Sequence, residues 1–318
     1  MRILLAERSS FSQKGIAALN EIAPLDARDL TQEGLAATVP GYDILVVRLG
    51  LRVDRPVLEA GDGLIIVGTP TTGLDHIDLE AARSREVNVL SLKGERQFLD
   101  QVFATAEHAF ALLQALIRRI PAAFEAVQDY QWRRDVYRGR ELAGKTLGIV
   151  GCGRLGSMMV RYGQAFGMPV LAYDPYVSDL PQGVKHCDSL EALLGSSDAV
   201  SIHVPLNAET QGMFSQAEFG AFREGAVLVN TARGALIDEA ALVSALESGR
   251  LAGAALDVLR SEHRIGQPGF KHPLIEYART HENLIITPHI GGATQESVEK
   301  ADLFLANKIR RSLERESS

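Results

Sequence analysis

Residues 146–174 read TLGIVGCGRLGSMMVRYGQAFGMPVLAYD, and this stretch decides the fold. Thr146 to Val150 is a short apolar run of the kind buried in a parallel sheet. Gly151, Gly153 and Gly156 follow at the spacing of a dinucleotide-binding turn, each with its own cause. The first allows the tight turn, the second lets backbone approach a pyrophosphate, and the third lets the new helix pack near the strand. Unpaired N–H groups at the helix start then face the anion, and Arg154 adds a charge-assisted contact or is a solvated helix residue. Asp174 ends the following strand, where a carboxylate accepts hydrogen bonds from an adenosine ribose and repels a 2′-phosphate, so NAD is expected over NADP.

Working outward, 318 residues suit two domains of ordinary size. The net charge of −7 offers no basic excess to neutralise phosphates, which argues against nucleic acid or an anionic membrane as partner. Cys152 and Cys187 are the two cysteines, too few for a disulfide scaffold and consistent with a reducing cytosol. No secretory leader is evident in MRILLAERSS. Ala104 to Ile120 is interrupted by Glu107, His108, Gln114 and a basic pair, so it is not a bilayer span. A cytoplasmic protein is expected.

Two groups of α/β units follow one another. Ile3 to Ala6, Ile44 to Arg48, Leu64 to Val67 and Val87 to Leu90 read as strands of the first. Strands starting near Thr146, Val170, Ala199, Ala226, Ala252 and Leu284 read as the six strands of the second. Alternation with helices implies parallel sheets covered on both faces. Pro121 gives the long helix from Ala104 a stop or a fresh start. The last segment, Thr294 to Leu313, is an amphipathic helix with Leu303, Leu305, Ile309 and Leu313 on one side. The fold class expected is α/β, with two Rossmann-like or flavodoxin-like domains: residues 1–101 with 290–318, and the dinucleotide-binding residues 102–289. The active site would lie in the cleft between them.

Four segments fall at the carboxyl ends of expected strands, where open α/β sheets bind ligands. Arg233 follows Val227 to Asn230 and can hold a carboxylate bidentately. His289, in Pro288-His289-Ile290-Gly291-Gly292, can exchange a proton with a carbonyl oxygen as hydride moves to or from carbon. Glu262 lies on the polar loop 260–268; touching the imidazole it would orient the ring, and otherwise it is a solvated carboxylate. Asp257 is a strand-end cap or a contact of the nicotinamide amide, with the cofactor favoured. Thr71, Thr72 and Gly73 offer successive amides as an anion nest. His203 is assigned to the loop under the adenosine, and His76, His108, His186, His263, His272 and His281 to surface or packing. Their spacings show no metal-binding pattern.

GCGRLG with Asp174, HVPLNAET, NTARGALIDEAALVSAL, AGAALDV and TPHIGGAT together resemble the D-isomer-specific 2-hydroxyacid dehydrogenase family over nearly the whole chain. The resemblance implies NAD, a small anionic 2-hydroxy or 2-keto acid, a homodimer, and a catalytic trio carried onto Arg233, Glu262 and His289. It implies cofactor contacts from Thr72, Arg154, Leu155, Asp174, Val204 with Pro205, Thr231 with Ala232, Asp257, His289, and Gly291 with Gly292. VVRLGLRVD and GLDHIDLEAA are similar to the branch that oxidises D-3-phosphoglycerate, in which Arg48 matches an arginine at the substrate phosphate. Lys93 and Arg96 are further cations for that end of the substrate, and all three are alternatively solvent-facing. His263 replaces the usual proline after the catalytic Glu, and the Asn-containing turn of that branch is missing before the long helix. A glyoxylate or hydroxypyruvate reductase and a catalytically silent NAD-sensing protein remain open. The chain ends soon after its last helix, so no appended regulatory domain is expected.

Overall fold

A computed structural model describes residues 1–177 and 179–316. The chain divides into two units, one of Met1–Val102 with the segment from Ala293 onward, the other of Phe103–Gly292. In the first, strand and helix alternate: β1 (Ile3–Leu5), α1 (Gln13–Asn20), β2 (Leu25–Ala27), α2 (Gln32–Thr38), β3 (Ile44–Val46), α3 (Arg55–Ala60), β4 (Ile66–Gly68), α4 (Leu79–Ser84), β5 (Asn88–Leu90) and α5 (Arg96–Leu99). The sheet is parallel, in the order β2-β1-β3-β4-β5. β1, β3 and β4 are buried throughout, as strands covered by helices on both faces must be. Ser12, Thr31, Asp54 and Asp78 each cap a helix by accepting from the amide three residues on, a contribution of about 1 kcal/mol apiece.

The second unit runs α6 (Ala104–Ile117), α7 (Ile120–Gln128), β6 (Leu147–Val150), α8 (Arg154–Ala165), β7 (Val170–Tyr173), β8 (Val184–His186), α9 (Leu190–Ser196), β9 (Ala199–Ile202), α10 (Gln216–Ala221), β10 (Ala226–Asn230), α11 (Glu239–Glu247), β11 (Leu251–Leu256), α12 (Pro273–Ala278) and β12 (Leu284–Ile286). Its sheet is also parallel, in the order β12-β11-β10-β9-β6-β7-β8. β6 pairs with β7 on one side and β9 on the other, so the strand order reverses there and opens a crevice at the carboxyl ends. Pro121 makes a fresh start: α6 ends, Arg119 turns the chain through left-handed backbone (φ 54°), and Pro121 enters the first turn of α7, where its missing N–H is not needed.

Two strands were illegible in sequence. The first sheet has five strands where four apolar runs were visible, and the second has seven where six were. β2 (LDA) and β8 (VKH) are three-residue edge strands with half-buried or exposed side chains, so neither carries an apolar run. After Gly292 the chain returns to the first unit as α13 (Gln295–Glu316), which buries Leu305, Ala306 and Ile309 in one core with Ile3, Leu5, Ile44 and Ile66.

Candidate functional site

β6 delivers the chain to Gly151, whose φ of +88° favours glycine. A Cβ there would also meet Val204 Cγ1 at 2.7 Å and the His203 carbonyl carbon at 2.9 Å, so the turn abuts the loop after β9. At Gly156 a Cβ would meet the Gly151 carbonyl oxygen at 2.2 Å, which sets how closely α8 packs on the turn. Gly153 is different: a Cβ would meet no atom of the protein within 4 Å. The fold itself therefore does not demand glycine there, and the open side is where a pyrophosphate would approach. α8 has no side-chain cap, leaving its first amides to serve an anion. Arg154 and Leu155 are half-buried on that turn.

Asp174 stands beside the turn at the end of β7, its carboxylate accepting from the Cys152 amide at 2.8 Å and the Tyr176 amide at 2.9 Å. Beyond β9, His203 shares a 2.8 Å hydrogen bond with Ser201 Oγ. Burial pushes its pKa down to about 4, so the ring is neutral at pH 7. Val204 is half-buried and Pro205 exposed on the same loop. Thr231, at the end of β10, has a buried hydroxyl without a hydrogen-bond partner in the protein. The open face of Gly153, the uncapped α8, the adjacent carboxylate and this orphaned hydroxyl together fit a bound dinucleotide.

Arg233, Glu262 and His289 follow β10, β11 and β12, three neighbouring strands, all at their carboxyl ends. Behind Arg233 stands Asn230, whose side chain sequence reasoning passed over. It is fully buried, donates from Nδ2 to the Arg233 carbonyl at 2.9 Å and accepts from the Ala232 amide at 2.9 Å. The Arg233 guanidinium, half-buried, also donates to the Ala232 carbonyl at 2.7 Å. Gly234 lets this loop press on the next: a Cβ would lie 2.1 Å from the Leu259 carbonyl carbon. The loop carrying Glu262 is tied down by Arg260, whose amide donates to Glu239 at 2.7 Å and whose carbonyl meets His272 Nε2 at 2.9 Å.

Glu262 and His289 meet directly, Oε1 to Nδ1 at 2.6 Å, while the other Glu262 oxygen accepts from the Leu259 amide at 3.2 Å. Ser261 and His289 both have left-handed backbone, at φ 56° and 55°, a strained state that costs about 1–3 kcal/mol and persists only where surroundings enforce it. His263, in the place of the family's proline, is exposed in the single 3-10 turn Glu262–Arg264.

Asp257 caps the loop that follows β12. Its carboxylate is almost fully buried and accepts from Thr287 Oγ1 at 2.6 Å, the Ile290 amide at 2.9 Å and the Gly291 amide at 2.7 Å. These bonds fall mostly on Oδ1, and Oδ2 accepts only the Gly291 amide among them, so the carboxylate keeps acceptor capacity for a nicotinamide amide. These bonds also explain why the second unit extends through Gly292. His108 departs from its expected surface or packing role, since its Nε2 lies 2.9 Å from Thr287 Oγ1 and 3.2 Å from Asp257 Oδ1. Burial raises the Asp257 pKa, but the hydrogen bonds from His108, Thr287 and the two amides outweigh it and hold the group below the usual carboxylate range.

Within the first unit, Arg48 also departs from expectation. Its guanidinium pairs with the fully buried Asp302 of α13 and lies over the Phe11 ring, 4.8 Å from the centroid. The guanidinium is thus partly buried, and the returning helix supplies a counter-charge. Thr71 Oγ1 donates to the Gly73 carbonyl at 2.8 Å, closing that turn, and Thr72 is exposed. Lys93 and Arg96 are exposed. Among the described residues, no group of three His, Cys, Asp or Glu could hold a metal ion, and no helix is long and apolar enough to cross a membrane.

Residues 110–291 match the family model for the NAD-binding domain of D-isomer-specific 2-hydroxyacid dehydrogenases. The chain is 36% identical over 97% of its length to D-3-phosphoglycerate dehydrogenase of Archaeoglobus fulgidus, covering 56% of that protein. It thus spans about half the length of the curated relatives it matches. A crystal structure of a Thermus thermophilus protein is similar at a TM-score of 0.86 and 35% identity, covering 99% of this chain and 97% of that one. D-lactate dehydrogenase from Aquifex aeolicus, complexed with NAD and lactic acid, is similar at a TM-score of 0.82 and 26% identity over 99% and 96% of the two chains.

Proposed function

The chain belongs to the D-isomer-specific 2-hydroxyacid dehydrogenases, and from that premise we propose that it interconverts a small D-2-hydroxy acid and its 2-keto acid through Arg233, Glu262 and His289. The observation that carries this is the 2.6 Å contact between His289 Nδ1 and Glu262. With Nδ1 held by the carboxylate, Nε2 is the ring atom left to take the hydroxyl proton of the hydroxy acid or return one to the keto oxygen. Arg233 holds the substrate carboxylate with its planar fork and polarises the neighbouring carbonyl. NAD, the family's cofactor, supplies the hydride acceptor when bound. Gly151, Gly153, Arg154, Leu155 and Gly156 are assigned to its pyrophosphate, and Asp174 to its adenosine ribose. Val204, Pro205, Thr231, Ala232, Gly291 and Gly292 are assigned to flanking contacts.

The curated relatives named D-3-phosphoglycerate dehydrogenase support a phosphorylated substrate. The Arg48–Asp302 pair supports the second reading, an unphosphorylated acid as in a glyoxylate or hydroxypyruvate reductase, because the guanidinium expected at the phosphate is already neutralised. Following NADH absorbance with a panel of D- and L-2-hydroxy acids, phosphorylated and not, tests both. The proposal expects turnover with D-acids; a panel without turnover in either direction would contradict it, and the relative rates decide the substrate. We assign a homodimer from the exposed apolar side chains of Ile120, Phe124 and Val127 on α7 with Tyr130 and Trp132 beyond it, since monomers rarely leave such a patch uncovered. The two buried, unpaired cysteines support a cytoplasmic setting.

A further inference from the structure

We infer that His108 is a positioning residue, acting through Asp257 to hold the His289 loop in its reactive conformation. This rests on the proposed role of His289. Thr287 Oγ1 donates its single hydrogen to Asp257 Oδ1 at 2.6 Å, so it can only accept from His108. The Nε2 of His108 therefore carries a hydrogen, shared between Thr287 at 2.9 Å and Asp257 at 3.2 Å. The same Oδ1 accepts the amide of Ile290 and the other oxygen that of Gly291, the two residues after His289, while the Asp257 carbonyl accepts the amide of His289 itself at 2.9 Å. Three consecutive amides thus hang on one buried residue.

That arrangement explains how His289 keeps left-handed backbone, φ 55°, without being glycine. Gly291 fits the same design: a Cβ there would lie 2.9 Å from Asp257 Oδ2, 3.4 Å from Thr105 and 3.7 Å from His108. α6 therefore packs directly on the loop. An amide clamp of this kind needs an ionised acceptor, because a protonated carboxyl gives up acceptor capacity and gains a donor facing donors. The titratable side chain bonded to the Asp257 carboxylate is His108 on α6, and His289 lies on the loop that Asp257 holds. Remove that donor and burial is opposed by fewer hydrogen bonds, so the carboxyl takes up a proton at higher pH.

The experiment compares the unaltered protein with His108→Ala and His108→Gln, the glutamine amide keeping an N–H donor. It follows kcat against pH, NADH affinity, and amide hydrogen exchange at Ile290 and Gly291. His108→Ala is expected to lose about ten- to a hundredfold in kcat, the scale of an ångström misplacement. Its acid limb should move to higher pH and the two amides should exchange faster, with NADH affinity within about twofold. Glutamine should restore the acid limb and the protection. An unmoved acid limb in His108→Ala, or a shifted one that glutamine does not correct, overturns the inference. Absence of turnover in the unaltered protein would instead strike the dehydrogenase reading. The exchange data would then decide alone: faster exchange at Ile290 and Gly291 supports the positioning role, and unchanged exchange overturns it.

Discussion

Replacing Asn230 by alanine isolates the contribution of a fully buried residue that braces the Arg233 loop. Its amide spans the Arg233 loop with two hydrogen bonds, both 2.9 Å, from a position with no solvent exposure. Truncation removes the Ala232 N–H's bond to Asn230 and leaves the Arg233 carbonyl with the long 3.4 Å bond from the Leu236 amide. Each unsatisfied buried group costs about 1–3 kcal/mol. The loop itself is half-buried, so water can recover part of this, and a loss of about 2–4 kcal/mol follows. The functional consequence is separate: Arg233 loses its anchor, so KM for the acid should rise about tenfold, equivalent to about 1.4 kcal/mol. NADH affinity, set largely at the glycine turn after β6, should change little. Urea unfolding, steady-state kinetics and NADH fluorescence titration read the three quantities. Asn230→Asp provides the internal check, since it keeps an acceptor for Ala232 but sets a carboxylate oxygen against the Arg233 carbonyl, and should cost at least as much. Stability within about 0.5 kcal/mol of the unaltered protein, together with an unchanged KM, would refute the reasoning.

Three further outcomes follow from the same geometry. Arg233→Lys should raise KM for the acid and lower kcat together, because a point charge replaces a bidentate fork; equal kinetics would count against the clamp. Gly156→Ala should destabilise by about 1–3 kcal/mol and weaken NADH binding, since the added carbon collides with a backbone oxygen that cannot rotate away; unchanged unfolding and affinity would contradict it. Asp257 has a folded pKa below its unfolded value, so its contribution is present above the unfolded carboxylate pKa of about 3.9 and fades as pH falls through the folded value. The stability gap between the unaltered protein and Asp257→Asn should therefore shrink on acidification, and a gap that stays constant in urea melts below about pH 4 would be the wrong result.

What was legible in the sequence is what local chemistry encodes. The glycine spacing at 151, 153 and 156 and the apolar runs of the central strands each need only a few neighbouring residues, and each reappears in the structure. Strand-end placement likewise brought Arg233, Glu262 and His289 to one edge of one sheet. The misses have a common cause in sequence distance. His108 meets Thr287 across 179 positions and Arg48 meets Asp302 across 254; neither pair has a periodicity or spacing to announce it. Asp257 could be read as a strand-end cap from its position, but the amides of Ile290 and Gly291 that it accepts lie more than thirty residues away. Edge strands β2 and β8 escaped because exposure removes the apolar signal that betrays a central strand.

The central claim is that the imidazole of His289, held by Glu262, moves the substrate proton. His289→Ala, assayed for NADH formation with a D-2-hydroxy acid that the unaltered protein turns over, tests it most directly. The account predicts a fall in kcat of about 10²–10⁴-fold, with NADH affinity and unfolding stability close to those of the unaltered protein. Turnover at the unaltered rate would contradict it.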